Sequence, residues 1–188
     1  MRVSSRPTLS LGLVLVVSAC AGAGGGPSAD RSVGVLERFA GGQRVEGATH
    51  RVVLGAPVAR VAEALPGVYR ELGLPVEPAR DTPPLTFTTP ELKIQGRLYE
   101  GERNSDYLDC GTSMSGPRAD TYELQIAVAT QLRAAEGGGT VAETFVDGRA
   151  RDRYANTDPV PCRGTGRLEA QIAELLRQRS GGSEGPRR

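Results

Sequence analysis

TYELQIAVATQLR, residues 121–133, sets the fold class of this chain. Tyr122, Leu124, Ile126, Val128 and Leu132 fall on one face together with Thr130. Thr121, Glu123, Gln125 and Gln131 fall mostly on the other. Alternation with a period of two is the pattern of a half-buried antiparallel strand, with one face on a core and one toward water. Glu136-Gly137-Gly138-Gly139 follows as a turn. Residues 140–151, with Val141 and Phe145, then return as the partner strand. A turn this short joins antiparallel strands only, because a parallel pair needs a crossover of a dozen residues or more.

Outward from this hairpin, the chain alternates strand and helix signals. Residues 49–54 (THRVVL) are β-branched and short, as in a strand. Pro57 opens a helix where its missing N–H costs nothing. Val58, Val61, Leu65, Val68, Tyr69 and Leu72 recur at spacings of three and four. Pro66 is expected to kink or split that helix, and Gly73 to end it. Residues 85–89 and 92–98 read as a strand pair around Pro90. A last helix opens at residues 165–169, with Thr165 or Gly166 as cap and Glu169 in the first turn. Its apolar face is Leu168, Ile172, Leu175 and Leu176. Residues 31–44 fit either a strand or a loose arm through Val33, Val35, Leu36 and Phe39. Strands bracketed by helices mean α+β: an antiparallel sheet with two helices packed on one face. One domain is expected over 45–180, followed by a disordered tail at 181–188.

Composition narrows the function classes. The 188 residues carry a formal net charge of +1, so no field draws the chain to nucleic acid, and none is expected as a partner. Trp is absent and aromatics make up 4%, so the core must be built from Val, Leu, Ile and Ala. Lys93 is the single lysine.

The amino terminus supplies an address. Arg2 and Arg6 precede an apolar run, and residues 13–26 read LVLVVSACAGAGGG. The run is shorter than the roughly 20 residues that span a bilayer and matches the apolar region of a secretory signal. Val17-Ser18-Ala19-Cys20 resembles the lipobox of bacterial lipoproteins. The resemblance implies a signal peptide over 1–19, a diacylglyceryl group on the Cys20 thiol and further acylation of the new amino terminus. Two or more acyl chains anchor stably where one does not. It also implies a bacterial cell-envelope address. Ala21, in place of the Asp that retains lipoproteins at the inner membrane, points to the outer membrane facing the periplasm. Residues 20–44 then serve as a Gly-rich flexible tether and arm. In layout, residues 45–180 resemble the helix-grip domains of BamC-like outer-membrane assembly lipoproteins.

With Cys20 lipidated, Cys110 and Cys162 remain as an even pair in an oxidising compartment, where a disulfide is expected. The alternative is a reactive Cys110 with His50, the only histidine, as its base, but nothing in the sequence places the two together. One His and two paired Cys cannot build a typical zinc site. Asp106, Asp109 and Asp120 lack EF-hand spacing and read as solvated turn residues. No metal or cofactor is expected. Arg163-Gly164-Thr165-Gly166 reads as a cap and turn, and residues 111–117 as a flexible surface loop. Arg149, Arg151 and Arg153 alternate at a strand end, an outward basic ladder that could touch lipid headgroups or an acidic partner but is more often an edge device against aggregation.

No catalytic or nucleotide motif rises above background, and no enzyme is expected. The reading is a lipid-anchored envelope protein whose domain is a non-enzymatic interaction or scaffold module for an envelope protein partner. The alternative is a periplasmic carrier, holding a lipid or small apolar ligand in a cavity lined by Tyr122, Phe145 and the 57–72 helix.

Overall fold

The computed structural model describes residues 33–37, 44–80, 84–99 and 101–181. The signal read at 1–19, Cys20, most of the tether and the tail beyond residue 181 lie outside the described residues. In chain order the elements are β1 (Val33–Glu37), β2 (Arg44–Leu54), α1 (Val58–Glu71), β3 (Glu77–Arg80), β4 (Leu85–Thr88) and β5 (Leu92–Ile94). A single 3-10 turn (Asn104–Asp106) follows, then β6 (Leu108–Asp109), β7 (Thr112–Ser113), β8 (Gly116–Pro117) and α2 (Arg118–Thr121). The chain closes with β9 (Glu123–Ala134), β10 (Thr140–Arg151), β11 (Val160–Gly164) and α3 (Arg167–Ser180). The architecture is α+β with a large antiparallel sheet, as the alternation at 121–133 implies.

The 12-residue strands β9 and β10 pair along their whole length, from Thr140 opposite Ala134 to Arg151 opposite Glu123. Each outer edge of this hairpin is shared by two shorter strands in tandem. β10 pairs β2 over 140–145 and β11 over 147–150. β9 pairs β4 over 129–132 and β5 over 124–126. The strand pair expected around Pro90 therefore does not exist as a pair: β4 and β5 are successive pieces against one partner. Thr88 and Leu92 are four positions apart, but their partners Ala129 and Ile126 are three apart, which makes a bulge. Pro90 has no N–H for the ladder, so the chain must leave it there. Thr89 bridges the gap: its N–H donates to the Val128 carbonyl, and its hydroxyl accepts from the Val128 N–H, both at 2.8 Å. Of the two readings open for 31–44, the strand forms at Val33–Glu37, antiparallel to the start of β2.

Helices α1 and α3 pack on each other and on one face of the sheet. That face carries Leu124, Ile126, Val128, Thr130 and Leu132, all buried as their alternation requires. α1 runs unbroken through Pro66. The ring removes one intrahelical hydrogen bond, but Leu65, Val68 and Tyr69, each fully buried, hold the turns on either side. Gly73 has φ +66° and ends α1 as expected. The Leu74 N–H reaches the Tyr69 carbonyl and the Gly73 N–H reaches that of Arg70, a Schellman closure. On α3, Leu168, Ile172 and Leu176 are buried with Ala173, while Leu175 sits half-buried at the rim. Glu169 lies in the first turn as expected and is 1% exposed. Its carboxylate lies over Gly164, where any Cβ would collide with it.

One polar chain runs through the apolar seam. The Tyr69 hydroxyl on α1 meets Thr130 Oγ1 at 2.9 Å, and Thr130 Oγ1 meets Thr144 Oγ1 on β10 at 3.0 Å. Burial pushes the Tyr69 phenol far up, so it stays a neutral hydroxyl with a partner. Tyr69→Phe should cost about 1 kcal/mol in urea denaturation, since Thr130 and Thr144 keep each other. Thr130→Val should cost more, about 2 kcal/mol, because it strands the buried tyrosine hydroxyl. Equal losses would refute the chain as drawn.

Candidate functional site

Between β5 and β9 the chain makes a long excursion over one end of the sheet, and its local sequence explains how it is held. Asn104 is 3% exposed; its Oδ1 accepts the Leu98 N–H at 2.7 Å and its Nδ2 donates to the Gly96 carbonyl at 2.6 Å. Thr165, ahead of α3, donates its N–H to the Tyr107 carbonyl at 2.9 Å and its hydroxyl to the Asp106 carbonyl at 2.7 Å. Gly166, at φ +94°, is the N-cap residue. The cap-and-turn reading of residues 163–166 thus holds, and Thr165 serves the excursion as well as the helix.

Cys110 follows β6, and Cys162 is the middle residue of β11. β6 and β11 are antiparallel, with Arg163 opposite Asp109, so Cys110 and Cys162 face each other one register step further on. Their sulfurs are 2.04 Å apart and their Cα atoms 4.1 Å, across 52 residues of sequence. The pair links the excursion to the strand before α3. His50 is nowhere near it. It lies opposite Thr144, whereas Cys162 lies opposite Gly148. Four strand residues are about 13 Å, beyond any hydrogen bond. His50 sits under α3, where partial burial and then the positive charge of Arg177 lower its pKa.

The aspartates organise the excursion rather than simply facing water. Asp120 accepts the Ser105 N–H at 2.9 Å and the Ser105 hydroxyl at 2.8 Å, with Arg103 3.4 Å away. Partial burial alone would raise its pKa, but these donors outweigh it and hold the carboxyl below the usual range. Asp109 accepts the Gly111 N–H at 2.9 Å. Residues 111–117, expected as a flexible loop, form the two-stranded β7–β8 hairpin, with Met114 fully exposed at its tip. Tyr107, 1% exposed, donates its hydroxyl to the Glu102 carboxylate under the Arg167 guanidinium, which sits 4.9 Å from its ring centre. Burial and then Glu102 raise its pKa. Among the described residues, no group of three or more His, Cys, Asp or Glu side chains is placed to hold a metal ion.

The carrier alternative would need a cavity between helices and sheet; among the described residues that seam is closely packed. Val61, Leu65, Val68, Leu124 and Ile126 are each at most 1% exposed, which leaves no water-sized void against them. Tyr122 packs at the margin of that core, but Phe145 pairs with Ala129 and points to the opposite face of the sheet. The Arg149, Arg151 and Arg153 ladder is not an edge device either, since β10 is paired on both sides as far as Arg149. Arg151 and Arg153 instead line an open groove of about 610 Å³ at the end of β9 and β10, with Gln95, Glu123, Tyr154 and Asn156. The alternating arginines are its one sequence signal. Gln95 arrives through the β5–β9 register, which no local pattern announces.

Comparison with protein-family models and with characterised proteins gives no match for this chain.

Two measurements check this geometry. In exported protein, non-reducing peptide mapping should join Cys110 to Cys162. Cys110→Ser, Cys162→Ser and the double variant should each lose about 4 kcal/mol, because any of them opens the same loop; two free thiols at these positions would refute the bond. His50 has a folded pKa below its unfolded value, so its contribution falls as pH drops through about 6.5. Between pH 7.5 and 5.5, Tm should fall further for the native chain than for His50→Asn. Parallel curves would exclude this assignment.

Proposed function

We propose that this protein is a lipid-anchored envelope lipoprotein whose α+β domain is a non-enzymatic interaction module for another envelope protein. The observation that carries this reading is the cysteine arithmetic. The chain has three cysteines, and Cys110 and Cys162 lie at bonding distance from each other. Cys20 is left over, at the end of the apolar run and after two small residues. A disulfide also favours an oxidising, exported location, which is where a lipobox would send the chain. Lipid on the Cys20 thiol would hold the domain at the outer membrane, facing the periplasm.

The close packing of the helix-to-sheet seam favours an interaction module over a carrier, since an apolar ligand would have to displace side chains that already touch. An interaction module works through its surface. Among the described residues, the exposed large apolar side chains are Met114 at the β7–β8 tip, Tyr154 after β10 and Val53 on β2.

Metabolic labelling in a bacterial host with a palmitate analogue tests the anchor. The native chain should take up label and partition with membranes, and Cys20→Ser should lose the label. Label persisting on Cys20→Ser would overturn the lipoprotein reading. Organic extraction of the purified Cys20→Ser protein should release no stoichiometric lipid. Lipid released at one per chain would move the reading to the carrier.

A further inference from the structure

We propose that the groove at the end of β9 and β10 binds an acidic saccharide, a sugar bearing a carboxylate or a phosphate. The inference starts from the register. Arg151 lies opposite Glu123 in the β9–β10 ladder. Ile94 lies opposite Leu124, so Gln95 continues β5 to a place beside Glu123. Gln95, Glu123 and Arg151 therefore form one row across three strands, on the face away from the helices. The next row inward is Lys93, Gln125 and Arg149. Beyond Arg151 the chain leaves the sheet at Asp152, whose Oδ1 accepts the Tyr154 N–H at 2.9 Å. That turn carries Arg153, Tyr154 and Asn156 to the other wall of the groove.

The side chains in it are uncommitted. Among the described residues, Lys93, Arg151, Arg153 and Glu123 enter no ion pair. Ion pairs do form elsewhere on the surface, as in Arg133 with Glu143 at 2.5 Å and Arg167 with Glu102 at 2.8 Å. Tyr154 is 96% exposed, its ring packed on nothing. The volume, about 610 Å³, is that of a small-ligand site, but the lining is polar and wide open, which rules out an apolar guest.

The chemistry of the lining selects the guest. The two lining guanidiniums, with Lys93 one register row away, supply charge-assisted donors for an oxyanion; they share the lining with the Glu123 and Asp152 carboxylates, and Asp152 is engaged through Oδ1 by the Tyr154 N–H. Glu123 and the Gln95 and Asn156 amides accept from and donate to hydroxyl groups. The Tyr154 ring offers a flat apolar face for the C–H face of a pyranose. A bare anion would use the cations and waste the rest, with Glu123 repelling it. A neutral sugar would leave both arginines unanswered. A ligand with an anionic group and several hydroxyls uses the whole lining. This inference does not depend on the lipid anchor.

The test is a titration of the ¹⁵N-labelled full chain at low ionic strength with four probes: glucuronate, glucose 6-phosphate, glucose and inorganic phosphate. Glucuronate and glucose 6-phosphate should shift the amides of Arg151, Arg153 and Tyr154, and glucose and phosphate should bind at least about tenfold more weakly. Arg151→Gln with Arg153→Gln should weaken the acidic sugars about tenfold or more. Tyr154→Ala should weaken them several-fold, with thermal stability unchanged because these side chains are exposed. Added salt should weaken binding. Glucose binding as tightly as glucuronate, phosphate as tightly as glucose 6-phosphate, or arginine variants binding like the native chain would each overturn the proposal. So would a tetraglutamate peptide that binds more tightly than glucuronate, which would mark an acidic-peptide site, or no shift with any probe at 20 mM, on the order of the weakest affinity worth calling a site.

Discussion

Every other strand of the large sheet is registered, directly or through one intervening strand, against the β9–β10 ladder. Its twelve residue pairs align two strands long enough for each to accept two partners end to end on its free edge. Because side chains alternate with a period of two, this one register decides which face every flanking strand presents. It puts Val52 and Leu54 of β2, Cys162 of β11 and Ile94 of β5 on the helix side with Leu124 and Ile126. A slip of one residue in the hairpin would turn that whole set outward. The glycine turn is therefore a placement device as well as a connector. Gly137 and Gly138 take φ +91° and +94°, values that side-chain-bearing residues rarely adopt.

The excursion between β5 and β9 is secured by a different physics. It buries few large apolar groups, chiefly Tyr107, Leu108 and Leu98, and relies on directional bonds: the Asn104 amide, the Thr165 hydroxyl, the Asp120 carboxylate and the cysteine pair. Each of these hydrogen bonds contributes roughly 0.5–1.5 kcal/mol net, yet leaving one buried partner unmatched costs more than making the bond gains. Such a region tolerates exposed substitutions and fails sharply at the clamps. Three polar atoms in or against this region lack a hydrogen-bond partner among the described residues: the Tyr99 hydroxyl, Arg118 Nε and, on α3, Gln171 Oε1.

Periodic segments were legible in the sequence, and segments organised at a distance were not. The strand at 121–133, its return at 140–151, both long helices and the Gly73 terminus follow from spacing and turn chemistry. The tandem placement of β4 and β5 does not, because Pro90 signals a break without saying whether the chain turns back or continues along the same partner. Glu169 reads as a helix-start charge by position, and only the meeting of β11 with α3 buries it. Phe145 shares a strand with Ala142 and Val146 but has odd parity, so an apolar residue lies on the face away from the core. The groove was half legible: the arginine alternation is local, while Gln95 and Glu123 join it through pairings between strands far apart in sequence.

The order of the elements along the chain has a consequence for how the domain comes into being. β2 has its partner on β10, more than eighty positions later, and α1 is covered by α3, the last described element. Nothing before the glycine turn can close the core, and the core is not sealed until α3 is present. Loop closure over such distances must precede the contacts that reward it. A chain emerging amino terminus first therefore stays open for most of its length, presenting Val61, Leu65 and Val68 to any chaperone or translocation channel. Only once α3 has emerged can it become committed to a folded state.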